Sequence, residues 1–172
     1  MKTFGLKVRA FFKKRSNERK PVSFDKAKTI GVLIYNPDFS QNAFINSFIK
    51  KLTSLGKEVE IICYLDKEVN RLYEFPYIEL RSVDIDMTGG FKQEKINKFI
   101  KTRFDYLYSI NISPFLPFES ILSRSESLIR IGKYFKGSEK NLEIMIDLTD
   151  KAQLHDLIKK MNELIPNLSF HD

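Results

Sequence analysis

Thr29-Ile30-Gly31-Val32-Leu33-Ile34-Tyr35-Asn36 is an almost unbroken apolar run that stops at Asn36-Pro37-Asp38. A run this short and this apolar predicts a strand buried on both faces, the kind found at the centre of a parallel sheet. The following segment reads as an amphipathic helix over 41–54, with Ser40 as its N-cap and Ala43, Phe44, Phe48, Leu52 and Leu55 as its apolar stripe. Gly56 is placed to end that helix. A second apolar run over 59–65 completes a strand, a helix and a strand within about 37 residues, the length of a βαβ unit.

Beyond it the alternation continues. Residues 67–80 read as irregular, with room for one short edge strand, and 82–87 alternate, with Val83, Ile85 and Met87 on one side and Asp84 and Asp86 on the other. A helix is expected over 93–102 with Ile96, Phe99 and Ile100 inward, then a strand over 104–112 and a helix around 117–125. Short strands follow over 128–131, closed by Gly132, and over 142–148. A final helix, capped by Thr149 or Asp150, carries Leu154, Leu157, Ile158, Met161, Leu164 and Ile165 at regular 3–4 spacing. Alternating strands and helices predict a three-layer, Rossmann-like α/β fold with a mainly parallel sheet.

The chain's 172 residues suit one domain, long enough to bury roughly 70% of its unfolded surface. The net charge of +7 is unevenly distributed. Residues 1–28 hold ten basic against two acidic groups, a net of +8, whereas the remaining residues hold 19 basic and 20 acidic groups. The expected division is therefore a basic arm and linker over 1–28 and a near-neutral domain over 29–172. Such asymmetry signals attraction to a polyanion.

On a helical wheel Phe4, Val8, Phe11 and Phe12 of the arm fall within about a third of the circumference, with Lys2, Arg9 and Lys13 opposite. Three readings fit this pattern. The Phe face packs on the domain and leaves the lysines solvated; or Lys2, Lys7, Arg9, Lys13, Lys14, Arg15, Arg19 and Lys20 contact the phosphates of RNA, at the ribosome above all; or the arm lies on an anionic membrane surface. The arm docking a protein partner is a further possibility.

The lone Cys63 sits in an apolar run and reads as a core residue. No run reaches the roughly 20 apolar residues of a membrane span, and the N-terminus lacks a secretory signal, so a cytoplasmic location is expected. In a parallel sheet, ligands bind beyond the carboxyl ends of the strands. Those ends offer Asn36, Asp38, Ser40 and Gln41 after the first strand, Ser109, Asn111 and Ser113 in and after the third, and Asp147, Thr149 and Asp150 after the last. Of these, Asn36, Asp38, Ser40, Ser109 and Asn111 are the candidates for holding a nucleotide or sugar phosphate, and any carboxylate chemistry would rest on Asp38 or Asp147. They offer no catalytic set, and Asn36 and Ser40 are better explained as turn and cap residues than as ligands. The two histidines, His155 and His171, fall in the final helix and at the extreme tail, neither at a strand end. No metal spacing can be assembled, so neither a catalytic residue nor a metal or cofactor is expected. Asp84 and Asp86 are better explained by period-two polarity than by metal binding. Gly89-Gly90 reads as a turn, because neither phosphate-loop pattern surrounds it.

The arm together with Lys28-Thr29-Ile30-Gly31, Phe104-Asp105-Tyr106-Leu107, Ile129-Arg130-Ile131-Gly132 and Ile144-Met145-Ile146-Asp147 resembles an uncharacterised family of small Bacteroidota proteins, a domain of unknown function, over essentially the whole chain. Residues 104–132 also resemble the N-terminal half of heptosyltransferase-type glycosyltransferases. That likeness implies a Rossmann-like fold. Against the activity stand Ser109 in place of the family's strand aspartate, the Asn36-Pro37-Asp38 loop, and a length that leaves no room for a nucleotide-sugar domain.

Overall fold

The structure is a computed structural model that describes residues 8–10, 20–37, 39–67 and 72–168. The decisive run forms β2 (Thr29–Tyr35), an inner strand of a seven-stranded sheet. The other strands are β1 (Val8–Ala10), β3 (Glu58–Tyr64), β4 (Ile78–Leu80), β5 (Tyr106–Ile110), β6 (Ile129–Lys133) and β7 (Ile144–Ile146). Spatially they run β1-β7-β6-β5-β2-β3-β4. Strands β2 to β7 are parallel, and their order is the Rossmann order 3-2-1-4-5-6 when β2 is counted first. The fold is α/β and Rossmann-like.

Two helices cover each face. Against one side lie α1 (Asn42–Ser54) and α4 (Leu154–Leu164), packed on Ile30, Val32 and Ile34 of β2 and on Tyr106, Tyr108 and Ile110 of β5. Against the other lie α2 (Glu94–Lys101) and α3 (Leu116–Arg124), packed on Leu33 and Leu107. Alternate residues of a strand face opposite ways, so a strand buried on both faces must be apolar throughout. Gly31 answers a local need: a Cβ there would lie 2.8 Å from both Leu107 and Phe104. Gly56 ends α1 with φ +74°. Its N–H donates to Thr53 O and that of Lys57 to Leu52 O, the paired bonds of a Schellman motif.

Several expectations are corrected. Ile45, Phe48, Ile49 and Leu52 form the buried seam of α1, while Phe44 and Leu55 are about half exposed. Phe44 instead stacks on the His155 ring of α4, 5.2 Å away. The N-cap of α1 is Gln41 rather than Ser40, and it makes no side-chain cap bond. The N-cap of α4 is Gln153 rather than Thr149 or Asp150, which belong to the preceding turn; the Gln153 N–H donates to Asp156 Oδ2 at 2.8 Å. Residues 82–87, whose alternation suits a half-exposed strand or a loop alike, take the loop form. Ser82–Asp84 make a 3-10 turn because Asp84 Oδ2 accepts the Arg81 N–H, and Met87 is fully exposed.

The helical expectation for the arm fails at Val8–Ala10, which are extended and pair antiparallel with β7. An edge strand presents unpaired backbone groups, and a short extended segment satisfies them. The other arm residues, Lys2, Lys7, Lys13, Lys14, Arg15 and Arg19 among them, lie outside the described residues.

The segment just before β2 also packs on the sheet. Phe24 and Ala27 are buried in the core, and Tyr106 Oη donates to Val22 O at 2.6 Å. Lys57 Nζ ties the segment down by donating to the carbonyls of Phe24, Asp25 and Ala27 at 2.7, 3.1 and 2.6 Å.

The carboxyl edge of the sheet as a candidate functional site

The strand order reverses between β2 and β5, so the crevice beyond their carboxyl ends is where such folds seat a ligand. Here the crevice is filled from within on one side. Tyr35, the last residue of β2, stacks on Phe115 at 4.2 Å with 18° between the rings, and Tyr64 meets both edge-on. Burial, reinforced by the Asp66 carboxylate, holds the Tyr35 phenol above its ordinary pKa, so it stays protonated.

The polar candidates are brought to this edge but are engaged with one another. Asn36 is buried and donates from Nδ2 to Asn42 Oδ1 at 2.9 Å, while its carbonyl accepts the Phe39 N–H. Phe39 adopts φ +59°, a left-handed conformation that is uncommon for a bulky side chain. Ser40 is exposed, with its Oγ accepting from Gln41 Nε2. Asp38 lies outside the described residues. Ser109 Oγ donates to Asn111 Oδ1 at 2.7 Å, and Asn111 Nδ2 donates to Ser113 O at 2.8 Å. These bonds shape the turn between β5 and α3. Ser109 and Asn111 therefore belong together, and Asn36 belongs to a separate pair.

The sequence reading missed Lys133. It ends β6, is 7% exposed, and donates from Nζ to Ile112 O at 3.1 Å, with its ammonium 4.9 Å from the Phe135 ring centroid. It lines a small void of ≈ 20 Å³ with Ser109, Asn111, Phe118, Glu119 and Gly132, and also an open cleft of ≈ 570 Å³. A Cβ on Gly132 would press on Leu142 at 3.2 Å and Ser109 at 3.3 Å, so glycine keeps that floor open. A lysine directly after Ile129-Arg130-Ile131-Gly132, at the end of a buried strand, was the available signal.

Elsewhere the titratable groups have structural roles. Burial pushes the Cys63 thiol well above its ordinary pKa, as befits a core residue. His155 meets Gln41 Oε1 through Nδ1 at 3.1 Å, and His171 lies outside the described residues. Among the described residues no group of three His, Cys, Asp or Glu is placed to hold a metal ion, and no helix is long and apolar enough to cross a membrane.

Asp86 closes the Gly89-Gly90 turn by accepting the Thr88 hydroxyl at 2.6 Å, the Thr88 N–H at 2.8 Å and the Gly90 N–H at 2.9 Å. Those bonds, the Thr88 hydroxyl first, hold its carboxyl below the usual range. A lowered folded-state pKa means that the stabilisation is present above the unfolded value and disappears as pH falls through the folded one. Amide exchange at Thr88 and Gly90, corrected for intrinsic rates, should therefore accelerate only below the ordinary carboxylate pKa. Loosening already at pH 5 would refute this account.

The site is thus the carboxyl edge of a single Rossmann-like sheet, with its switch-point crevice filled by aromatic rings and its polar groups mutually bonded. Residues 2–166 match the model described as "Family of unknown function (DUF6913)", and the chain belongs to that family. No curated protein and no solved structure is significantly similar to it.

Proposed function

We propose that this protein is a non-enzymatic module that contacts RNA, at the ribosome, through its basic N-terminal segment. The observation that carries the reading is charge segregation: residues 1–28 have a net of +8 and the rest of the chain a slight negative balance. Such a stripe neutralises phosphates and releases their counterions. Two features of the fold support it. Val8–Ala10 lie along the outer edge of the sheet, and Lys20, Lys26 and Lys28 at the inner end of the segment are exposed. The mutual bonding of Ser109 with Asn111, and of Asn36 with Asn42, counts against catalysis at the strand ends. The Bacteroidota and heptosyltransferase-type likenesses bear on ancestry and leave this reading unchanged.

The test is sedimentation of the full chain from native lysate, at low and high salt, beside a variant with Lys13, Lys14, Arg15 and Lys20 changed to Gln. Co-migration of the wild type with ribosomal particles is expected at low salt only. Binding of a single-stranded RNA gives the quantitative readout, since each cation on a phosphate contributes about 0.7 to the slope of log K against log[salt]. Removing four such cations should flatten that slope by about 3. A protein that stays at the top of the gradient in both salts would overturn the reading. Flotation with anionic vesicles would replace RNA by a membrane surface.

A further inference from the structure

Lys133 presents a difficulty that RNA binding by the N-terminal segment does not address. Buried charges are normally paired, yet among the described residues no carboxylate pairs with this ammonium. An ammonium has three N–H donors, and among the described residues one is used, on the Ile112 carbonyl. The side chain is held in place by that bond and by the Phe135 ring, and it lines the ≈ 570 Å³ cleft. That volume lies in the range of small-molecule sites.

The cleft has two chemically different walls. One, from the end of β6 onward, carries Lys133 and the exposed Lys136; the other, following β7, carries the exposed carboxylates of Asp147 and Asp150. A lone lysine serves phosphate well, as a compact point charge, whereas planar carboxylates favour the arginine fork. Carboxylates opposite suit hydroxyl donors. We infer that this cleft binds a small phosphomonoester bearing hydroxyl groups, with its phosphate on Lys133 and Lys136 and its hydroxyls on Asp147 and Asp150. The seat lies one strand beyond the switch point, where Tyr35 and Phe115 have filled the usual position.

The test is an amide chemical-shift titration of the full chain with ribose 5-phosphate, with inorganic phosphate and ribose as separate arms. Saturable shifts are expected at 112–115, 133–136 and 147–150 with ribose 5-phosphate, weaker ones with phosphate, and none with ribose. Lys133→Met should weaken binding about 10- to 100-fold, the effect of removing a charge-assisted hydrogen bond. Should that variant fail to fold, Lys136→Gln at the exposed rim is expected to weaken binding several-fold and serves in its place. Shifts confined to residues 1–28, no saturable shift at the cleft, or a folded Lys133→Met with unchanged affinity would each overturn the assignment. Equal binding of phosphate and ribose 5-phosphate would overturn the role given to the two aspartates. The gradient experiment is read independently, so failure of either proposal leaves the other standing.

Discussion

Arg130→Ala, or Glu143→Ala, should cost about 3–5 kcal/mol, because each leaves the partner as an uncompensated buried charge. The pair is deeply set, at 2% and 6% exposure. Arg130 Nη2 meets Glu143 Oε1 at 2.5 Å, while Nε and the backbone N–H both donate to Oε2, at 2.9 and 2.8 Å. Nη1 goes to Leu122 O at 2.6 Å, so the guanidinium also joins the end of α3 to β6. For a chain of this size the destabilisation corresponds to a fall in Tm of about 6–20 °C. Replacing both residues at once, as Arg130→Met with Glu143→Leu, should cost far less than either single change, since the double variant buries no charge. Urea denaturation of the three variants measures this; single variants within about 1 kcal/mol of wild type would show that water reaches the pair.

Asp105→Ala should be the second large effect, about 3 kcal/mol, from two orphaned backbone donors. Asp105 is 2% exposed, and its Oδ2 accepts the Lys28 N–H at 2.7 Å, the Thr29 N–H at 3.0 Å and the Thr29 hydroxyl at 3.2 Å. Its own N–H donates to Thr29 O at 2.9 Å. One carboxylate therefore sets where β2 begins relative to β5. Asp105→Asn keeps an acceptor and should cost about half as much. Amide exchange at Thr29 gives the local readout: it should rise in Asp105→Ala well beyond the global change, and an unaltered rate would mean that the clamp is dispensable.

Much of the fold was legible because it rests on long apolar runs. The stretch from Thr29 to Tyr35 admits only a two-sided burial, and Leu154, Leu157, Ile158, Met161 and Leu164 admit only a helix packed on one face. What the sequence hid was decided by competing local bonds. Asp84 and Asp86 alternate with apolar neighbours like strand residues, yet each carboxylate captures nearby backbone N–H groups and turns the chain. Phe44 looked like a core residue, but Ile45 and Ile49 take the sheet-facing side of α1. Val8–Ala10 fit a helical wheel in isolation; the open edge of β7, invisible in the local sequence, decides otherwise.

The candidate site was legible only in its location. Ser109 and Asn111 do meet at the carboxyl edge, but composition cannot show that they satisfy each other. Lys133 carries no local mark in the sequence, because burial of a charged side chain depends on the chain folded over it. Arg130 and Glu143 were hidden for the same reason.

The antiparallel pairing of β1 with β7 also has a kinetic consequence. Thr29 and Asp105, the partners that start the central strand pair, are 76 positions apart, so the two halves of the sheet join late, after nearer pairs such as β2 with β3 and β6 with β7. Val8 must wait longer still, because its partner is Ile146. During synthesis that segment has no edge to join until nearly the whole sheet has been made, and in an intact molecule this three-residue pairing is the contact expected to open first. Val8–Ala10 are thus the last strand of the sheet to be secured and the first to be released.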